Sequence, residues 1–295
     1  MWKKPLALLG TSALICAGEM ARELSTFRVR RYRMEVPGLE SGREIRCLFL
    51  SDLHGKEYGK EYGKENKKLL EQIEKERPDF ILAGGDMLTR TQPETDRTAL
   101  ALMRRLASVA PVYAANGNHE QKMKENRELY GDRYDRYRDA LKEEGIRVLE
   151  NETCLFRKGG FLASITGLEI PLSCYSHFGR EELQVEEINK RVGELPKEGC
   201  RILMAHTPAY MDTYWEWGAD LVLSGHLHGG VVRLPVLGGV ITPQMQLFPR
   251  YSGDMYTQKD GQSCVVSRGL GTHTVNVRLY NMAELVCLSL IGKRD

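Results

Sequence analysis

The chain has 295 residues, 42% hydrophobic and 28% charged, which fits a globular protein long enough to bury a substantial core. A net charge of +2 is too small to mark a nucleic-acid binder, and no specific nucleic-acid partner is expected. The seven cysteines form no CxxC pair and no regular spacing, which excludes a disulfide scaffold and leaves them as buried, reduced thiols.

Residues 1–46 carry nine Lys and Arg against five Glu, so the basic surplus lies in an N-terminal arm. There Arg28, Arg30, Arg31 and Arg33 suit a membrane surface or a solvated strand equally well. Residues 5–18 are uncharged, yet fourteen residues fall short of the roughly 20 that a membrane-crossing helix needs. This stretch reads as a membrane anchor or a signal-peptide core, so the chain is expected to be membrane-associated through residues 1–33, on a side left open by basic residues flanking both ends.

From residue 44 a single domain is expected, spanning 44–295 after the 1–43 segment. Ile45–Leu50 reads as a buried strand that ends in Ser51-Asp52-Leu53-His54-Gly55. A polar near-repeat follows over 55–66, read as a surface loop, and then a helix that ends at Pro78. A second strand over 79–83 runs into Gly84-Gly85-Asp86, and a helix follows through Leu106. A third strand over 111–115 runs into Asn116-Gly117-Asn118-His119-Glu120. Residues 121–144 have a charged helical pattern with interleaved tyrosines, read as a solvated helix or a cap. Strands are expected at 147–149, 153–157, 161–167 and 201–205, with a helix near 180–192. The strand at 201–205 ends at His206, and another at 220–223 ends in Ser224-Gly225-His226-Leu227-His228-Gly229-Gly230. The tail has β character at 231–234, 264–267, 275–278 and 284–291. Alternating strands and helices indicate an α/β fold with helices packed on sheets, and the polar residues of interest lie just past strand ends, where open α/β sheets place their sites.

His226 and His228, two apart on extended backbone, can reach one small object together. Carboxylate and imidazole at successive strand ends suit first-row divalent ions, and Asp86 is placed to bridge two of them. His177 and His273 stand outside these blocks. Asp52-x-His54, Gly85-Asp86, Gly117-Asn118-His119-Glu120, His206 and Gly225-His226-x-His228 resemble, in order, the signature blocks of the calcineurin-like metallophosphoesterases. Leu234-Pro235, Pro249-Arg250-Tyr251 and Ser267-Arg268-Gly269-Leu270-Gly271 resemble that family's bacterial branch, which often carries an N-terminal membrane segment.

The resemblance implies two mixed β-sheets packed as a sandwich and flanked by helices. It implies two divalent metal ions (Mn, Fe, Zn or Co), one held by Asp52, His54 and His228, the other by Asn118, His206 and His226, with Asp86 shared. The activity implied is hydrolysis of a phosphodiester, phosphomonoester or pyrophosphate bond by a metal-bridging hydroxide, with His119 as general acid. Two alternatives are a membrane-surface pyrophosphatase of a nucleotide-linked acyl-sugar and a non-catalytic binding module on the same fold.

Overall fold

The computed structural model describes residues 3–59, 66–176, 181–196, 198–234, 238–242, 245–272 and 275–293. The first half of the chain runs α1 (Lys3–Ser25), β1 (Phe27–Ser41), β2 (Glu44–Leu50), α2 (Lys67–Glu76), β3 (Phe80–Ala83), α3 (Thr95–Ala107) and β4 (Val112–Ala115). Three helices follow, α4 (Asn118–Glu125), α5 (Arg127–Tyr130) and α6 (Arg133–Glu143), then β5 (Arg147–Leu149), β6 (Glu152–Lys158) and β7 (Phe161–Leu168). The second half continues with α7 (Val185–Val192), β8 (Cys200–Ala205), α8 (Met211–Glu216), β9 (Leu221–Ser224), β10 (Val232–Leu234), β11 (Gly238–Ile241), β12 (Asp254–Thr257), β13 (Ser263–Val266) and β14 (Ala283–Gly292).

These strands build two mixed sheets, in the orders β1-β14-β2-β3-β4-β5 and β12-β13-β9-β8-β7-β6, with β10 and β11 as a separate hairpin. Strands β2 to β5 are parallel, as are β7, β8, β9 and β13. A parallel strand is covered on both faces, so its sequence is apolar at every position rather than at every second one. In β2, Ile45, Cys47 and Phe49 point into the core between the sheets, while Leu48 and Leu50 point into an outer core under the helices. Phe80 and Leu82 of β3 meet Leu221 and Leu223 of β9 in the inner core, and Val222 packs outward with Trp215 and Tyr214 of α8. Each large apolar side chain buried in this way contributes about 1.5–3 kcal/mol. The two-sheet sandwich flanked by helices agrees with the expected fold.

Several local expectations are corrected. The charged stretch 121–144 is three helices, broken at Asn126 and at Gly131, whose φ is +62°. Its Tyr134 and Tyr137 are buried in the outer core, so α6 is neither a solvated helix nor a lid. Residues 275–278 form no strand; the Arg278 side chain, 2% exposed, is instead spent on backbone carbonyls. The first unit of the 55–66 repeat is folded inward, with the Tyr58 hydroxyl bonded to the Leu270 carbonyl. The basic arm is a strand that pairs in parallel with β14 from Phe27 opposite Ala283 to Val36 opposite Gly292. The expected break between 43 and 44 falls in the connection between β1 and β2, both of which pair with β14. Arg30 and Arg31, on opposite faces of β1, are bonded to Asp254 and Glu76. Among the described residues no helix is long and apolar enough to cross a membrane. His177 and His273 lie outside the described residues.

Candidate metal centre

Parallel β2, β3 and β4 in one sheet and β8 and β9 in the other end at the same edge of the sandwich, and the loops that leave them converge there. Left-handed backbone is needed to turn the side chains inward: Asp52, His54, Asp86, His226 and His228 have φ between +49° and +68°. Each such residue costs on the order of 1–2 kcal/mol, so the loops must be held by other contacts. The Asp52 N–H donates to the Gly85 carbonyl (2.9 Å) and the His54 N–H to the Asp86 carbonyl (3.1 Å), which ties the β2 loop to the β3 loop. The His119 N–H donates to Asp86 Oδ1 (2.8 Å) and the His226 N–H to Asp52 Oδ1 (2.9 Å). These approaches require glycine: a Cβ on Gly117 would lie 2.2 Å from Asp86 Oδ1, and one on Gly225 2.2 Å from Asp52 Oδ2.

The side chains form two clusters. Donor atoms of Asp52, His54 and His228 lie within 4.8 Å of one another, as do those of Asp86, His206 and His226. Asp86 spans both, its Oδ2 being 3.2 Å from His206 Nε2 and 3.8 Å from His54 Nε2. Asp52 Oδ1 is 3.7 Å from the Nε2 atoms of His206 and His228. His119 joins His54 and Asp86 in a third such group. Asn118 begins α4 beside them and is buried.

The electrostatics favour incoming positive charge. Burial alone would push the Asp86 carboxyl up, but the His206, His119 and His54 imidazoles hold it well below the usual carboxylate range. Burial opposes a charge on His206, yet the Asp86 and Asp52 carboxylates raise it to about 10. Burial and the neighbouring His206 push His226 well below its ordinary value, and burial lowers His228 too. The two carboxylates thus hold a proton on one imidazole while two others stay neutral with lone pairs to give.

The donor set fits divalent cations. His206 Nδ1 donates to the Gly84 carbonyl (2.8 Å), His228 Nδ1 donates to the Gly271 carbonyl (3.1 Å), and His54 Nδ1 is bonded to Thr89 Oγ1 (3.1 Å). With Nδ1 engaged in all three rings, Nε2 is the nitrogen turned to the clusters, the arrangement that orients metal-binding imidazoles. Asp52 Oδ2 and Asn118 Oδ1 are buried with no hydrogen-bond partner, a cost that a bound cation removes.

The supporting residues were mostly invisible in the sequence. Glu120 accepts from the Asp86, Met87 and Gly117 N–H groups and clamps the β3 and β4 loops together. Burial and the Asp86 carboxylate push its own carboxyl up to about 8. Its position at the third residue of α4 was the one available signal, that of a helix cap. Arg133 of α6, 8% exposed, grips Asp96 with two bonds and donates to the Thr89 and Arg90 carbonyls (2.9 and 2.5 Å). It thereby fixes the loop that carries Thr89 to His54 and the Arg90 N–H to His119 Nδ1 (3.0 Å). The Arg90 N–H thus faces Nδ1 while Arg90 Nη1 lies 3.4 Å from Nε2, so Arg90 holds the His119 ring at both nitrogens.

Residues 45–230 match the model of the calcineurin-like phosphoesterase family. An uncharacterized metallophosphoesterase of Aquifex aeolicus is 27% identical over 90% of this chain and 92% of its own. Phosphodiesterase YaeI of Escherichia coli is 27% identical over 85% of this chain and 84% of its own. Among solved structures, the phosphopantetheinyl hydrolase of Mycobacterium tuberculosis is 21% identical, with a TM-score of 0.43 over 63% of this chain and 84% of that one.

Proposed function

The chain belongs to the calcineurin-like phosphoesterase family and is a hydrolase, and on that premise we propose that it cleaves a phosphodiester, phosphomonoester or pyrophosphate bond with two divalent cations. Asp52, His54 and His228 would hold one cation and Asn118, His206 and His226 the other, with Asp86 shared. The position of Asp86 Oδ2, 3.2 Å from His206 Nε2 and 3.8 Å from His54 Nε2, carries this reading. Mixed nitrogen and oxygen donors suit manganese, iron, zinc or cobalt.

When bound, the two cations supply a water-derived nucleophile at neutral pH and neutralise charge that builds on the phosphoryl oxygens. The residues do the rest. His54, His206 and His228 are locked by their Nδ1 bonds, so their Nε2 atoms need no reorganisation. His119 is the proton donor to the departing oxygen in this reading, its ring positioned by the Arg90 backbone and side chain. A phosphoester substrate follows from this set; its identity is decided by loops outside the ligand blocks.

Two variants test the reading together. Asp86→Asn is expected to abolish hydrolysis of an artificial phosphodiester and to lower the metal content found by elemental analysis. His119→Gln is expected to keep both ions and lose about 10²–10⁴ in rate on poor leaving groups. Full metal content with normal turnover in Asp86→Asn rules out the shared carboxylate, and unchanged turnover of alkyl esters in His119→Gln removes the proton donor.

Within residues 1–33, the part before β1 attaches the chain to a membrane surface in this proposal, as in the family's bacterial branch with such a segment. Leu14 and Ile15 of α1, 76% and 65% exposed, support it. Recovery of the full chain in the soluble fraction, indistinguishable from a chain lacking residues 1–25, removes it.

A further inference from the structure

Outside the segment matched by the family, the C-terminal part of the chain folds around a second set of buried charges. The Asp254 carboxylate is shared by three guanidinium groups: Arg30 and Arg268 at 2.8 Å on Oδ1 and Arg233 at 2.9 Å on Oδ2. Behind them Glu284 faces Arg268 Nε at 3.6 Å and Arg28 Nη2 at 3.8 Å. Four guanidinium groups therefore meet two carboxylates, Arg233 and Arg268 buried and Arg28 and Arg30 36% and 39% exposed. Arginine cannot relieve the surplus by losing its proton.

Of these groups, Arg233, Arg268 and the Asp254 carboxylate they share line a cavity of about 540 Å³ together with Ser252, Tyr256 and Tyr280, with Arg250 among the residues around it. Arg233 and Arg268 are each only 6% exposed, so their heads are fixed rather than waving in solvent. Arg233 is pinned by the Gly229 and Ser252 carbonyls at 3.0 and 2.9 Å. Arg268 Nε and Arg28 Nε are buried without a hydrogen-bond partner. Burial and the repulsion of Arg268 depress both Arg28 and Arg233, as crowded cations require.

We propose that this cavity between β10, β12 and the Arg268 loop is an oxyanion site that takes a phosphoryl group. Fixed, forked guanidinium donors match a tetrahedral oxyanion, and the volume falls within the range of small-ligand sites. The site is separate from the metal centre and does not depend on its chemistry. Leu234 and Tyr280, 41% and 57% exposed at its lining, leave room for an apolar substituent, so the phosphoryl group comes either from a soluble anion or from a lipid headgroup.

The test uses the full chain loaded with zinc. Inorganic phosphate is titrated while the arginine Nε–H resonances are followed, the Arg268 signal being assigned by its loss in Arg268→Gln. In parallel, the protein is sedimented with vesicles of phosphatidylcholine alone or containing phosphatidic acid. Saturable shifts of the Arg268 and Arg233 signals with phosphate identify a soluble anion; sedimentation that needs both phosphatidic acid and Arg268 identifies a headgroup. Either binding should weaken roughly tenfold in Arg268→Gln, the loss expected for a charge-assisted bond. Arg250→Gln, at an exposed residue whose only described ion pair is to Asp212, preserves the fold and should weaken binding severalfold. If phosphate leaves both resonances in place, and both variants sediment like the wild type, the proposal is overturned. Hydrolysis of an artificial diester, measured in the same samples, reports separately on the metal centre.

Discussion

Two buried charge clusters lie at either end of the short segment from His228 to Arg233, and they resolve opposite imbalances. At the metal centre Asp52 and Asp86 are surrounded by imidazoles, which can keep a proton or give a lone pair as the occasion demands. The Nδ1 atoms of His54, His206 and His228 meet neutral partners, Thr89 Oγ1 and the Gly84 and Gly271 carbonyls. In the arginine cavity the surplus is positive and the groups are permanently charged. In the proposed site an anion supplies the balance. Adaptable ligands suit a centre that exchanges protons for cations, whereas guanidinium groups make a site whose charge does not vary with pH.

The comparison is sharpened first at Arg133, an arginine that belongs to neither cluster. Its charge is matched by Asp96, and its remaining donors hold the carbonyls of the loop bearing Thr89 and Arg90. If arginine acts at the metal centre only through position, Arg133→Gln should weaken metal affinity about 10–100-fold, as loss of a supporting partner typically does. Phosphate shifts at Arg268 should stay unchanged. Competition with a chromophoric chelator measures the first, and resonance titration the second. Metal affinity equal to wild type removes Arg133 from the support of His54; a parallel loss at Arg268 shows that the two clusters are coupled.

Much of the metal centre was legible because its chemistry is local to strand ends. Asp52, His54, Asp86, Asn118, His119, His206, His226 and His228 each follow an apolar run, and glycines beside them announce turns and close approach. Both-sided burial made the inner strands readable as unbroken apolar runs. The arm was ambiguous because β1 sits at the edge of its sheet, where arginines alternating between faces look the same in a solvated strand as on a membrane surface. Residues 275–278 alternate like a strand, yet they form none, and the Arg278 side chain is turned inward onto the carbonyls of Arg268, Gly271 and Asn281. Asp254 gave no sign of its pairing with Arg30 and Arg268. Three segments far apart in sequence meet there, and nothing in their spacing encodes it.

The smallest effect falls on the other cluster and depends on pH. Burial pushes the Asp254 carboxyl up, but Arg268, Arg233 and Arg30 overcome it and hold the group below its ordinary range. A carboxyl depressed by folding contributes stability that is fully present above its unfolded value of about 3.9 and is lost as pH falls through the folded value. Asp254→Asn should therefore destabilise the metal-free chain at pH 7 by about 1–2 kcal/mol in urea unfolding, a figure discounted for its partial exposure. The difference from wild type should shrink as pH falls below about 4, since both chains then carry a neutral group there. Removing Asp254 also deepens the positive surplus, so phosphate should stabilise the variant more than the wild type. A variant equal to wild type at pH 7, or one that phosphate fails to restore, means that the four arginines are balanced by some other group and that the two clusters are not opposites.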